Sequence, residues 1–392
     1  MLRSKYLLLA VFLIGAVVCS TIVIKNLSST IDFNTQVKPI INKRCISCHG
    51  GVKQSGELSM MTREDLLKAG ESGHQAIVPG KPNESEFYRR LVTTDEEDRM
   101  PYDAPALPKE EIKILKQWIK EGAKWGKHWA YESVAAVEVP KSNKVLGAVS
   151  GKVSDWAASP IDYFIVEKMQ EHGLSPSTAA DKQTLLRRAA LDIIGMPASD
   201  ELTNNFLNSE ADDAFEQLVT QLLETPQYGE RWASVWMDLA RYSDTKGAER
   251  DDVRNIWEYR DWLIRAFNQD MPYDQFLTEQ IAGDLLPNPT DAQYIATGFH
   301  RNTVTNDEGG TDNEEFRVAA VVDRVNTTWE GLLGTTFSCV QCHGHPYDPI
   351  KHEEYYEFLA FFNNTRDNDT YADYPWLRKF SEAQKAQLAA LS

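Results

Sequence analysis

The sequence predicts a mainly α protein: a small helical domain, then a larger mostly helical one, behind an N-terminal apolar segment. Three observations carry that expectation. Apolar residues recur at helical spacing in one stretch after another. Alternating apolar and polar strand patterns are scarce. The chain has 392 residues, 42% hydrophobic and 25% charged, which suits soluble packed domains and is too long for one of ordinary size.

The N-terminal segment, residues 1–25, reads as a signal peptide or membrane anchor. Arg3 and Lys5 precede the uncharged run Tyr6–Ile24, which Lys25 closes. The run is long enough to span a bilayer as a helix. It lacks a clean small-residue cleavage site, and the bulky Val18 ahead of Cys19 fits lipid attachment poorly. An uncleaved anchor and a cleaved signal both stay open. Under either, the rest of the chain is expected outside the cytoplasm, in a periplasmic or similar space, because the positive end stays inside. If the segment is kept, it is also the expected membrane contact.

Residues 31–129 form the first expected domain. Ile31–Asn34 opens a helix leading to Cys45, with Pro39 in a bend or first turn. Gly50–Gly56 is loop. Thr62–Ala69 is a short helix with Thr62 as N-cap and Asp65 three residues on, close to a capping box. Residues 78–82 (VPGKP) form a turn, and Glu84–Leu91 a further helix. In Pro108–Gly122 the positions Ile112, Leu115 and Ile119 share a face, with Pro108 suited to the first turn. Phe33, Val37, Ile40, Ile41, Leu58, Ile112 and Trp118 are the expected core.

Residues 130–158 are rich in Val, Lys and Gly and read as a linker. In 159–392 the expected helices are Pro160–His172, Lys182–Ile194, Asp212–Leu223, Gly229–Tyr242, Ile256–Asn268, Tyr273–Ala282, Ala292–Arg301, Glu314–Leu333 and Glu353–Phe362.

The chemistry is concentrated in two pentapeptides, Cys45-Ile46-Ser47-Cys48-His49 and Cys339-Val340-Gln341-Cys342-His343. With 5 Cys and 8 His in the chain, chance gives about 0.001 occurrences of C-x-x-C-H. In this pattern the two thiols add across the vinyl groups of a haem, and the adjacent imidazole becomes an iron ligand. Export agrees with it, since isolated thiol pairs outside the cytoplasm otherwise tend to oxidise.

The first motif needs a second iron ligand. Met60 and Met61 follow His49 too closely to reach round a macrocycle. Met100, in the irregular Arg99-Met100-Pro101 ahead of the long helix, is the expected ligand, with His74 its rival. For the second motif, His300 is the first candidate and His352 the next. His345 is too near His343 to reach the opposite face of the same ring. A Cys339–Cys342 disulfide and a zinc site using Cys339, Cys342, His343 and His345 are the non-haem alternatives.

Other stretches are ambiguous. Arg241, Tyr242, Asp244, Arg250, Asp251, Asp252 and Arg254, and then Asn306, Asp307, Glu308, Asp312, Glu314 and Glu315, suit either a sugar-binding or acid–base cleft or salt bridges between helices. Salt bridges are the preferred reading. Trp232, Trp236, Trp257 and Trp262 read as helix-packing residues rather than sugar platforms. Net charge of −17 disfavours nucleic acid as a partner. No Walker loop, Rossmann fingerprint, G-x-S-x-G elbow or H-E-x-x-H helix occurs.

Several segments together resemble the planctomycete-type cytochrome c domain: Cys45–His49, Gly70–Arg90, Arg99-Met100-Pro101 and Trp118–Trp125. From about Pro160 the chain resembles the helical partner domain that follows it in those proteins. That likeness rests on residues 228–232 (YGERW), 236–242 (WMDLARY), 307–311 (DEGGT), 323–329 (DRVNTTW) and Cys339–Ile350. The resemblance implies a cytochrome c-like first domain and covalent haem c. Such proteins usually continue into a further large domain, so it also implies a shortened member or a fragment. The expected function is electron transfer by an extracytoplasmic, dihaem c-type cytochrome, with an unidentified redox protein as partner. The alternatives are a haem-dependent oxidoreductase acting on peroxide or an organic or carbohydrate substrate, and a carbohydrate-associated binding module with auxiliary haem.

Overall fold

The computed structural model describes residues 30–127, 129–140, 156–248, 251–305, 312–365 and 374–391. Among them are sixteen α-helices and no strand. The chain divides into two compact units: 1–134 with Phe337–Glu357, and 135–336 with 358–392. The second C-x-x-C-H thus packs with the first unit, although sequence order had suggested the later domain. The proposed N-terminal signal or anchor, and most of the proposed linker, lie outside the described residues. No helix among the described residues is long and apolar enough to cross a membrane.

The first unit opens at Asp32, whose carboxylate accepts from the Thr35 backbone N–H at 2.7 Å and starts a π-type turn, Phe33–Val37. This runs into α1 (Lys38–Arg44), with Pro39 in its first turn. A single turn, α2 (Ile46–His49), carries the first motif. The short α3 (Arg63–Leu66) is capped by Thr62, as expected from the sequence. Then come α4 (Glu86–Val92) and α5 (Lys109–Lys120). Leu115, Trp118 and Ile119 of α5 are buried, as are Phe33, Val37, Ile40 and Ile41, while Leu58 and Ile112 pack at the edge of the same core. Ring contacts join the two ends of the unit: Phe33 lies 4.1 Å from Trp125 and 5.8 Å from Trp118, centroid to centroid.

The second unit is helical from α6 (Pro160–Glu171), which begins with a Ser159/Asp162 capping box. Next, α7 (Lys182–Ile193), α8 (Asp200–Asn208) and α9 (Ala214–Leu223) enclose a core of Leu186, Ala190, Phe206, Leu218 and Leu222. Helix α8 is not among the expected helices; it is short and buries only Phe206. A larger core forms among α10 (Pro226–Leu239), α11 (Trp257–Asn268), α12 (Tyr273–Ala282) and α13 (Asp291–Ala296). The helix expected over Ala292–Arg301 is α13 followed by a tighter turn, Thr297–His300. Within this core the buried Gln280 carbonyl accepts from both Tyr259 Oη and Trp236 Nε1, at 2.7 and 2.8 Å. Trp262 is buried and Trp236 packs against the same core, but Trp232 and Trp257 are more than a third exposed. Three helices complete the described chain: α14 (Asn313–Leu333), α15 (His352–Leu359) and α16 (Glu382–Leu391).

Helices α10 and α11 touch backbone to backbone at Gly229. A Cβ there would lie 2.4 Å from the Ile264 carbonyl oxygen and 2.6 Å from Asn268, whose Oδ1 accepts from the Gly229 N–H at 2.8 Å. Gly229→Ala is expected to cost about 2 kcal/mol by overpacking and to lower the melting temperature by about 5 °C. An unchanged thermal melt followed by circular dichroism would refute this crossing.

Candidate functional site

The first motif is built by a helical turn. Cys45 ends α1, its N–H donating to the Ile41 carbonyl at 2.9 Å, and its own carbonyl accepts from the N–H groups of Cys48 and His49 at 3.1 and 3.0 Å. Residues three and four apart lie on one face of a helix, so both sulfurs and the imidazole share that face. Cys45 is in the apolar core and burial pushes its thiol up to about 12, whereas Cys48 is exposed. A thiol held that firmly protonated is no spontaneous thiolate nucleophile or metal ligand. Burial holds His49 below its ordinary value, against the opposing pull of backbone groups at Ser55 and Leu58. Burial thus favours the neutral ring that iron ligation uses.

Met100 packs on the same core, and its N–H donates to the Arg90 carbonyl at 2.9 Å. An ionic network holds this segment against α4. Glu86 accepts from Arg89 at 2.7 Å and from Arg90 at 2.8 Å, and Arg89 also donates to Asp98 at 3.0 Å. The two guanidiniums hold the Glu86 carboxyl down at about 2. Glu86 is not among the residues expected from the sequence, although its partners stand at i+3 and i+4 on the same helix. What spacing does not show is that Arg89 and Arg90 also reach Asp98 of the Met100 segment. His74, the rival ligand, is exposed on a loop. Met60 is buried, with its N–H on the His49 carbonyl at 2.8 Å.

The second motif follows a different local course. Phe337–Gln341 is a tight helical turn whose Phe337 and Val340 are fully buried, while Cys339 and Cys342 are exposed. His343 Nδ1 lies 2.7 Å from the Gly344 carbonyl, so the bonded tautomer donates there and leaves Nε2 as the ligating nitrogen. His345 is almost fully buried and serves the turn: its Nδ1 accepts from the N–H groups of Tyr347 and Asp348 at 3.2 and 2.9 Å. His352 Nδ1 bonds the Val340 carbonyl at 2.8 Å. His300 belongs to the second unit, where it is buried with its ring against Phe299 and Phe362.

All four motif cysteines are free thiols, and among the described residues no three His, Cys, Asp or Glu side chains converge on a possible metal position. In the second unit the charged stretches form inter-element links. Arg241 donates to Asp323 of α14 at 2.7 Å, and Arg254 donates to the Arg301 carbonyl and to Thr305 Oγ1. Burial raises Asp323 and lowers Arg241 from their ordinary values. Arg250 and 306–308 lie outside the described residues.

Two buried polar atoms of the first unit test whether these residues suit a haem. His49 Nδ1 and Arg99 Nε are buried without a hydrogen-bond partner among the described residues. An imidazole held below its ordinary value, two thiols on its face, an apolar wall and a buried guanidinium Nε beside Met100, on a side chain whose outer nitrogen pairs with Glu96, match a macrocycle with carboxylate edges. The donor set fits.

The model for Planctomycete cytochrome C matches residues 45–103, which makes this region a cytochrome c domain, binding haem c covalently through its iron-ligating motif. The model for PSCyt2, a protein of unknown function (DUF1549), matches residues 160–367, more than half of the chain. The chain belongs to that family, with the planctomycete cytochrome domain ahead of it. No curated protein and no solved structure matches it.

Because Glu86 is held below its ordinary 4.5, its ion pairs stabilise the fold fully above that pH and are lost as pH falls toward about 2. Arg89 is half exposed, so the network contributes only about 1 kcal/mol. Glu86→Gln should melt about 3 °C below the natural protein at pH 7. The two melts should converge between pH 4.5 and 2, and a constant gap over that window would sink the assignment.

Proposed function

We propose that this chain is an exported dihaem c-type cytochrome that transfers electrons to or from a separate redox protein. The observation that carries the reading is the repetition of C-x-x-C-H, each copy with free thiols and an imidazole suited to iron. In the first unit, Cys45 and Cys48 would form the thioethers, His49 would ligate through Nε2, and Met100 would supply the opposite sulfur. Arg99 would hold a carboxylate edge. Bound haem supplies one-electron exchange at iron.

The surrounding residues set the conditions for that exchange. The buried side chains around Cys45 exclude water, so a change of iron charge is poorly screened there. Sulfur ligation favours the reduced iron relative to a second imidazole, which raises the reduction potential. At the second motif Cys339 and Cys342 would form the thioethers and His343 would ligate. His352, inside the same unit, is the proposed opposite ligand, while His300, the first candidate from the sequence, belongs to the second unit. The apolar run Tyr6–Ile24 supports export, possession of which is also what covalent attachment of haem c requires.

The test is protein matured in a haem-attaching host, with haem counted by pyridine haemochrome and mass spectrometry. Two haems per chain are expected, falling to one in Cys339→Ser/Cys342→Ser. Met100→Ala should convert the first iron from low to high spin and lower its potential while leaving the haem count at two. A colourless, iron-free product from competent cells would overturn the reading. High-spin iron in the natural protein, with peroxide-dependent dye oxidation, would favour an oxidoreductase instead.

A further inference from the structure

The two motifs are far apart in sequence, yet the residues that follow them are in contact. Gly51 lies two positions beyond His49, and Gly344 one position beyond His343. A Cβ on Gly51 would lie 2.8 Å from the Gly344 carbonyl oxygen and 3.2 Å from that of His345. The backbones therefore meet with no room for a side chain. Gly51 is not among the residues with positive φ, so close approach rather than conformational freedom is what requires glycine there.

Charges on both segments reinforce the contact. Lys38, lowered chiefly by its own burial, is supported in its charged form by Asp348. Asp65, held low chiefly by its bond to Lys68, also feels Lys351. Both pairings join the cytochrome domain to the turn that follows the second motif, inside one compact unit. Consecutive Cα atoms are about 3.8 Å apart, so the contact keeps the His49 and His343 Cα atoms within about 18 Å of each other. That is comparable with the width of a porphyrin.

We propose that the Gly51–Gly344 contact makes the two attachment segments a single electronically coupled redox pair, between whose haems an electron passes inside the chain. The proposal rests on the dihaem reading above. In the exchange one iron is oxidised as the other is reduced by one electron. No bond breaks and no proton is required, and the first electron comes from an external one-electron donor. The second motif is then the relay for the first, and the later part of the chain supplies it by returning to the cytochrome domain.

The experiment compares Soret circular dichroism of the full mature chain with that of two single-haem variants, Cys45→Ser/Cys48→Ser and Cys339→Ser/Cys342→Ser. Coupling is expected to give the natural protein a bisignate signal absent from the sum of the two variants. Gly51→Val should reduce that signal at least twofold with two haems still bound. Two haems with a strictly additive spectrum would overturn the coupling and leave the dihaem reading intact. Fewer than two haems would overturn both, through the reading beneath. If Gly51→Val fails to fold, comparing the natural chain with the sum of the single-haem variants still decides the matter.

Discussion

The first unit depends on the packing of its opening turn against the end of α5. Phe33 sits between Trp118 and Trp125, and the aromatic cluster is reinforced by polar ties between the same two regions. The Ile31 N–H donates to Glu121 at 2.7 Å, and the Asn34 amide donates to the Lys127 carbonyl at 2.6 Å. Burying Phe33 and Trp118 contributes on the order of 2 to 3 kcal/mol each. This packing fixes where α1 ends, and α1 in turn delivers Cys45 into the core and His49 to its edge. Without it the C-x-x-C-H turn would be a four-residue helix with nothing to orient it, far too short to persist alone.

Apolar and ionic forces share the work of placing the motif and the proposed Met100 ligand. The core holds the motif, while Arg89 and Arg90, braced by Glu86 on the same helix, hold the segment bearing Met100 through Asp98. The division has a physical basis. A thioether sulfur offers little by way of hydrogen bonding, so its loop must be anchored through the backbone and through neighbouring charges. The backbone bond from Met100 to Arg90 places that anchor on the residue whose side chain also bonds Glu86.

Much of this was legible in the sequence, for reasons that are local. Thr62 and Asp65 announce a helix start by spacing alone, and the stripe of Leu115 and Ile119 announces α5. Phe33, Val37, Ile40, Ile41 and Trp118 could be assigned to the core because they recur at helical intervals. The motifs stood out because their residues are rare. What was not legible depends on contacts between distant parts of the chain. Periodicity says nothing of Phe337–Glu357 packing with the first unit, nor of Gly51 meeting Gly344. Glu86 reads as one more surface acid at a helix start, and its value lies in bracing Arg89 and Arg90, which reach on to the distant Asp98. Trp232 and Trp257 were expected to be helix-packing residues, yet both sit partly in solvent, because an aromatic count does not say which helical face is covered.

The first unit is made of two stretches of chain, the later one beginning at Phe337. Such interleaving imposes an order on biosynthesis. A ribosome releasing the chain from its N-terminus completes Cys45–His49 long before the segment that packs beside it. The early part must wait, partly uncovered, while some two hundred residues are made. Closing so large a loop would cost little more entropy than closing a modest one, since the penalty grows only with the logarithm of length. Prior folding of the intervening helices shortens the effective loop further. The first motif therefore emerges on a half-built domain, and the second emerges on the piece that finishes it.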